Sequence, residues 1–124
     1  MIKYAIMVGV GGFAGSALRF IISRWMLLHA TGNFPWGTFA VNILGSLILG
    51  LLVGLSEKSN SLSTEWLLLL SVGFCGGFTT FSTFSLESLQ LLEGKQWIPF
   101  FAYTLFSFVL GLAAIFLGRA IVNP

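Results

Sequence analysis

Charged side chains are scarce in this sequence. Only 8% of its 124 residues are Asp, Glu, Lys or Arg, whereas 56% are hydrophobic. A soluble domain carries about 25% charged residues, which it needs to cover a water-facing surface. The composition therefore excludes a soluble globular protein and predicts an integral membrane protein, and the length predicts one domain over residues 1–124. The six basic residues are too scattered for a nucleic-acid-binding patch, which needs clustered Lys and Arg.

Cysteine and histidine are nearly absent as well. The single cysteine, Cys75, excludes an intrachain disulfide, and its apolar neighbours favour a small buried side chain over a reactive thiol. His29 has no partners at the spacing of a metal site. The sequence also lacks a phosphate-binding loop and a nucleophile elbow. We therefore expect a protein that is not an enzyme.

Long apolar runs, in contrast, make up most of the chain. A helix needs about 20 residues to cross the hydrocarbon core of a bilayer. Segments near this length cover residues 3–28, 38–55, 66–92 and 97–118. The polar run 57–65 is the second of the loops between them, and Ser63 or Thr64 at its end predicts a helix cap. The pattern predicts an all-α membrane protein of four transmembrane helices.

Two polar side chains lie on faces of small residues. Arg19 lies on the same helical face as the small-residue stripe within residues 11–16, so it points toward protein. It either extends to the membrane interface or supplies a positive charge at a pore mouth that attracts anions. Asn42 has Gly45 and Ser46 at i+3 and i+4. It either joins helices by hydrogen bonding or lines a pore as a donor.

The most unusual stretch is residues 76–87, in the third apolar segment. It carries two glycines, five hydroxyl side chains and a carboxylate. Each unsatisfied polar group in lipid costs several kcal/mol, so we expect this stretch to line the path of a small ion. The Gly76-Gly77 pair and the threonines after it predict a broken helix near mid-membrane. Such a break frees the carbonyls of Gly76 and Thr79 to coordinate a cation such as Na⁺.

Further side chains near this stretch have two interpretations each. Phe81 and Phe84, at i and i+3 on one helix face, are either core filler or lipid contacts, or they present their positive ring edges to a small anion. Glu87 is either a functional intramembrane carboxylate or a group that reaches the interface. Tyr103 and Ser107 share a face of the fourth segment, where their hydroxyls either line a path or bond to their own helix.

Positive charge is divided almost evenly between the two membrane sides. Four spans place the termini and the second loop together. That side holds Lys3, Lys58 and Arg119, and the other holds Arg24 and Lys95, with Arg19 nearby. The positive-inside rule then gives no clear orientation. This balance favours dual topology, in which two oppositely inserted copies pair about an axis in the membrane plane. The alternative is one orientation set by small effects or by a partner.

At these residues the chain resembles a known family, the dual-topology fluoride channels called Fluc or CrcB proteins. The resemblance covers all four spans in order. It is carried by GFAG at residues 12–15 with Arg19, GTFAVNILGS at 37–46, GFCGGFTTFSTF at 73–84 with Glu87, and Tyr103 with Ser107. The run GGFTTFSTF together with VNILGS is specific to this family among four-span proteins.

The resemblance implies passive, fluoride-selective efflux across the bacterial plasma membrane, which confers fluoride resistance. It implies an antiparallel homodimer with two pores, and Arg19 and Glu87 in a vestibule. The carbonyls of Gly76 and Thr79 from each subunit would hold one structural Na⁺ on the two-fold axis. Gly111 stands where some members have serine. The implied fluoride pore contains Asn42, Thr80, Phe81, Ser82, Thr83, Phe84, Tyr103 and Ser107.

Two other classes of membrane protein fit less well. A small multidrug exporter also has four short spans, but it needs a proton-coupled carboxylate in its first span, and residues 3–28 contain no Asp or Glu. A non-conducting assembly subunit would explain the small-residue stripes. It would not explain the clustered hydroxyls or Asn42.

Overall fold

The structure is a computed structural model that describes residues 1–59 and 62–124, and within these ranges all regular structure is helical. Asn60 and Ser61, part of the predicted second loop, lie outside the described residues. In chain order the elements are α1 (Ile2–His29), α2 (Trp36–Ser59), α3 (Thr64–Leu67), a π-helix (Leu68–Cys75), α4 (Gly76–Phe78), α5 (Ser82–Glu93) and α6 (Trp97–Val122).

Four spans in these elements are long and apolar enough to cross a membrane. They are Ile2–His29, Trp36–Lys58, Thr64–Glu93 and Trp97–Val122, so the predicted number and order of spans are confirmed. Between 6% and 33% of each span's apolar window is buried within the chain. Most span side chains therefore face outward, toward lipid or toward another protein.

Helix α1 packs closely on the third span because its contact face has no side chains. Gly11 and Gly15 are buried there, and a Cβ on Gly15 would collide with the carbonyl of Phe74. From the other side, a Cβ on Gly77 would come within 2.6 Å of the Gly12 carbonyl oxygen. Small residues let helix backbones approach, so the stripe predicted in α1 forms this contact.

Helices α2 and α6 form the second close pair. A Cβ on Gly50 would collide with the Ile115 carbonyl, and one on Gly118 would lie 2.5 Å from the Leu47 carbonyl oxygen. Gly54 lies against Arg119 at the same interface. The Gly50 and Gly54 pair therefore serves helix packing.

The third span is broken, but the break does not lie at the glycine pair. Gly76 is helical, with φ −64° and ψ −36°, and α4 continues to Phe78. Thr79 is extended, with φ −90° and ψ 160°, and α5 begins at Ser82. The helix continues through Gly77 because that residue packs on Gly12 of α1. The glycines thus provide close packing, and the break begins at the threonines.

Polar contacts mark the two ends of the bundle. The first and third loops meet where Asn33 Nδ2 donates to Gln96 Oε1 at 3.1 Å. At the opposite end, Glu57 Oε1 accepts from Arg119 Nε at 2.7 Å. The side chain of Ser63 caps α3 by accepting from the Trp66 N–H, as its position predicted. Lys3 Nζ lies 3.8 Å from Glu65 Oε2, so both termini and the second loop lie at this end of the bundle.

Candidate functional site

Asn42 of α2 lies against the break in the third span. Its Nδ2 donates to the Thr80 carbonyl at 3.0 Å, and its Oδ1 accepts from the Thr80 N–H at 2.8 Å. An amide side chain has one acceptor oxygen and two N–H donors. Asn42 thus replaces the two helical hydrogen bonds of the Thr80 backbone, and its second N–H remains free to donate to another group.

Two backbone N–H groups near Thr80 bond to side chains and not to the carbonyls four residues earlier in the helix. Because the Thr80 N–H bonds to Asn42, the Gly76 carbonyl loses its i+4 donor. The Thr83 N–H bonds to Thr80 Oγ1 at 3.2 Å, so the Thr79 carbonyl loses its donor in the same way. The break therefore leaves these two carbonyls, the ones predicted to coordinate a cation, without intrahelical partners.

A cleft of about 280 Å³ lies on one side of the break, at the end of the first loop. Its lining includes Arg19, Thr38, Thr80, Thr83 and Glu87. Arg19 Nε donates to the Gly77 carbonyl at 2.9 Å, which fixes the side chain within the protein. A guanidinium has five N–H donors, so four remain for other partners. The cleft thus holds the fixed positive charge of Arg19 beside threonine hydroxyls, and Arg24 lines it as well.

Glu87 reaches the same cleft but is held by a buried tyrosine. Tyr103 is fully buried, and its hydroxyl donates to Glu87 Oε1 at 2.9 Å. Hydrogen bonds to a charged group are roughly twice as strong as neutral ones. The carboxylate is therefore oriented by α6 as well as by its own helix.

A second cavity, of about 420 Å³, lies on the other side of the break. Thr80 lines both spaces, so the break forms the boundary between them. Ser107 Oγ is buried and has no hydrogen-bond partner among the described residues. The interpretation in which Ser107 bonds to its own helix is therefore wrong. Other residues lining this cavity include Asn42, Ser46, Ser71, Gly76, Thr79, Phe81, Phe84 and Gly111.

The two predicted phenylalanines are neighbours at the edge of this cavity. Phe84 lies in α5, whereas Phe81 precedes the helix and occupies its N-cap position. Their ring centroids are 6.0 Å apart at an interplanar angle of 42°. Phe81 is 79% exposed in the single chain, so it is not core filler. Phe84 also packs on Tyr103, with centroids 5.0 Å apart.

The remaining predicted residues lie around these two spaces. Tyr103 lies behind Phe84 and lines neither space. Ser82 is exposed, with its Oγ 3.5 Å from Thr80 Oγ1. Thr38 and Ser46 line the cleft and the cavity respectively, and the predicted site omits both. Their positions at i−4 and i+4 from Asn42 were the available signal.

The chain is similar to the proteins of one known family over nearly its whole length. Residues 6–119 match the family model described as CrcB-like protein, Camphor Resistance (CrcB). The chain is 45% identical over 116 residues to the fluoride-specific ion channel FluC of Phocaeicola vulgatus, covering 94% of this chain and 95% of that protein. It is 43% identical over 114 residues to FluC 2 of Bacillus thuringiensis, covering 92% of each.

A third relative is also similar over nearly the whole chain. The FluC protein of Rhizobium etli is 42% identical over 119 residues, covering 96% of this chain and 95% of that protein. The family-model match includes the second and third spans, most of the first and fourth, the break and the residues of both spaces. The chain therefore belongs to the CrcB-like family.

Proposed function

We propose that this chain is a fluoride channel that lets F⁻ leave the cell passively through the bacterial inner membrane and so confers fluoride resistance. The relatives described above bear the name of a fluoride-specific channel. The observation that carries the proposal is the buried Ser107 hydroxyl, which has no acceptor among the described residues, in a cavity that also contains the Asn42 amide. An unpaired donor in an apolar span is costly unless an acceptor arrives from outside, and F⁻ is such an acceptor.

The lining residues support a path in two stages. In the cleft, the Arg19 charge attracts an anion without the anion leaving water completely. Past Thr80, the cavity offers Asn42 and Ser107 as neutral donors beside Phe81 and Phe84. Aromatic ring edges carry partial positive charge. Conduction needs sites that bind weakly enough to release the ion, and these groups bind more weakly than a lysine would.

We further propose an antiparallel homodimer with two pores. The cavity lies at the surface of the single chain, where Gly76 and Phe81 are exposed. The unpaired polar groups of this cavity would lack partners if they faced lipid, so a second copy that covers this face is the simplest solution. The even division of basic residues between the two ends favours a partner inserted in the opposite orientation.

A structural Na⁺ on the two-fold axis fits the residues at the break. The carbonyls of Gly76 and Thr79 have no intrahelical donor, and both residues line the exposed cavity. No other atom lies within 4 Å of a Cβ placed on Gly76, so a second copy has room to approach. Na⁺ would supply the positive charge that these carbonyl oxygens need, as unwound backbone does in transporters.

A fluoride efflux assay tests the proposed function. The purified chain is reconstituted into liposomes loaded with potassium fluoride, and a potassium ionophore starts the efflux, which a fluoride electrode records. We expect rapid fluoride release and no release of chloride from matched liposomes. Protein that releases no fluoride, or that moves a cationic drug against a proton gradient, would contradict the proposal.

A further inference from the structure

The Ser46 side chain faces a gap in α6 at one end of the 420 Å³ cavity. Ser46 Oγ lies 3.8 Å from the position that a Cβ on Gly111 would occupy. Both residues line the cavity, as Asn42 does. Ser46 follows Asn42 by four residues on α2, so the two side chains lie on the same face of that helix.

The hydroxyl of Ser46 is unpaired among the described residues, unlike most hydroxyls of the neighbouring spans. Ser71 Oγ donates to the Leu67 carbonyl at 2.5 Å, four residues back in its own helix. Ser88 and Thr104 make the same kind of bond, at 2.8 Å and 2.9 Å. No such bond forms at Ser46 within residues 1–59 and 62–124.

Ser107 is the counterpart of Ser46 on the opposite wall. Its Oγ is buried without a hydrogen-bond partner among the described residues, and it precedes Gly111 by four positions on α6. Two helices therefore bring unpaired hydroxyls into one cavity, and the missing side chain at Gly111 leaves space next to them. A hydroxyl in an apolar span that does not bond to its own helix needs water or an anion as its acceptor.

We propose that Ser46 is a further fluoride-binding residue, whose hydroxyl extends the donors of Asn42 and Ser107 toward the Gly111 end of the cavity. The assignment rests on the proposed fluoride channel function. At the Gly111 end of the cavity the hydrogen-bond donor is therefore Ser46 on α2, and Gly111 on α6 provides the space for the ion.

The test compares Ser46→Ala with Ser71→Ala in liposomes loaded with potassium fluoride. Ser71 lines the same cavity, but its hydroxyl proton is already donated to Leu67. Loss of one hydrogen bond to an anion corresponds to about a tenfold change, so we expect S46A to lower fluoride efflux about tenfold. The S71A protein is expected to conduct like the unsubstituted chain.

A second variant returns the hydroxyl from the opposite helix. In the double variant Ser46→Ala with Gly111→Ser, the Cβ that carries the new hydroxyl lies 3.8 Å from the original position of Ser46 Oγ, so efflux is expected to recover at least half of the loss. This recovery also shows that S46A protein is folded. Undiminished efflux in S46A, an equal loss in S71A, or no recovery in the double variant would overturn the assignment. If the unsubstituted chain releases no fluoride, the proposed function fails and the assignment fails with it.

Discussion

Asn42 and Thr80 are joined by two hydrogen bonds, one to each polar group of the Thr80 backbone. The amide Nδ2 donates to the carbonyl at 3.0 Å, and Oδ1 accepts from the N–H at 2.8 Å. A side chain of α2 thereby stabilises the break in the third span. The same pair lies at the boundary between the cleft and the cavity, so the fold and the ion path depend on one contact.

Replacing Asn42 by alanine is therefore expected to lower both stability and flux. The change leaves the Thr80 N–H and carbonyl unpaired, and each buried unpaired group costs about 1–3 kcal/mol. Thermal unfolding in detergent should show a lower midpoint, and liposome efflux should be strongly reduced. Asn33→Ala is the matched control, because it removes only the exposed bond to Gln96. Unchanged unfolding and efflux in N42A would contradict this role of Asn42.

The ring pair provides a prediction about conduction alone. Phe81→Ile and Phe84→Ile keep an apolar side chain but remove the ring edge, so each is expected to reduce fluoride efflux at least tenfold with little change in unfolding midpoint. Phe116→Ile is the control, because Phe116 is 73% exposed and lines neither the cleft nor the cavity. Full efflux in both variants would remove the phenylalanines from the mechanism.

The bond between Tyr103 and Glu87 predicts a reversible defect. Tyr103→Phe removes the O–H donor at 2.9 Å and leaves the carboxylate free to repel fluoride at the cleft. We expect efflux to fall severalfold. Adding Glu87→Gln to the same chain removes the negative charge and should restore part of the efflux. If the double variant conducts no better than Y103F, repulsion by the carboxylate is not the cause.

Close packing of α1 on the third span predicts a position-specific loss of stability. Gly15→Ala places a methyl group against the Phe74 carbonyl, and overpacking of this kind costs about 1–3 kcal/mol. Gly9→Ala is the control on the same helix, because no atom beyond the local backbone of α1 lies within 4 Å of its Cβ position. Thermal unfolding in detergent should be lowered by G15A and left unchanged or slightly raised by G9A. Equal midpoints would contradict the packing.

Membrane orientation is testable with added lysines. Thr31→Lys with Glu93→Lys adds positive charge at the end where the first and third loops meet, and should fix one orientation. If the functional unit is an antiparallel dimer, this variant is expected to give no efflux. Thr31→Lys with Asn123→Lys adds one charge to each side and should retain efflux. Full activity in a chain with a single verified orientation would exclude the antiparallel dimer.

Prediction from the sequence succeeded where composition and local spacing determine the outcome. The four spans were predictable because each is a run of apolar residues of bilayer length. The direction of Arg19 was predictable because helical spacing places it on the small-residue stripe, and its Nε reaches the third span. The break was predicted at the glycine pair and the threonines after it, and the sequence does not reveal that Gly77 packs on Gly12, which leaves the break to the threonines alone.

The site depends on contacts between residues far apart in the chain. Asn42 and Thr80 are 38 positions apart, and Glu87 and Tyr103 are 16 apart, so spacing within one helix indicated neither bond. The resemblance places Tyr103 in the fluoride pore, yet its burial behind Phe84 depends on how α6 packs against α5. Phe81 was expected inside a helix, and it precedes the helix because Asn42 stabilises the break beside it.

The sequence by itself determined that this is a four-span membrane protein with a polar, weakened third span, because hydropathy and side-chain polarity are properties of each residue. Only the tertiary structure decided where that span breaks and which carbonyls and hydroxyls are left unpaired. A backbone group becomes free when a distant side chain takes its partner. The Gly76 carbonyl is free because the Thr80 N–H bonds to Asn42 Oδ1. The Thr79 carbonyl is free because the Thr83 N–H bonds to Thr80 Oγ1.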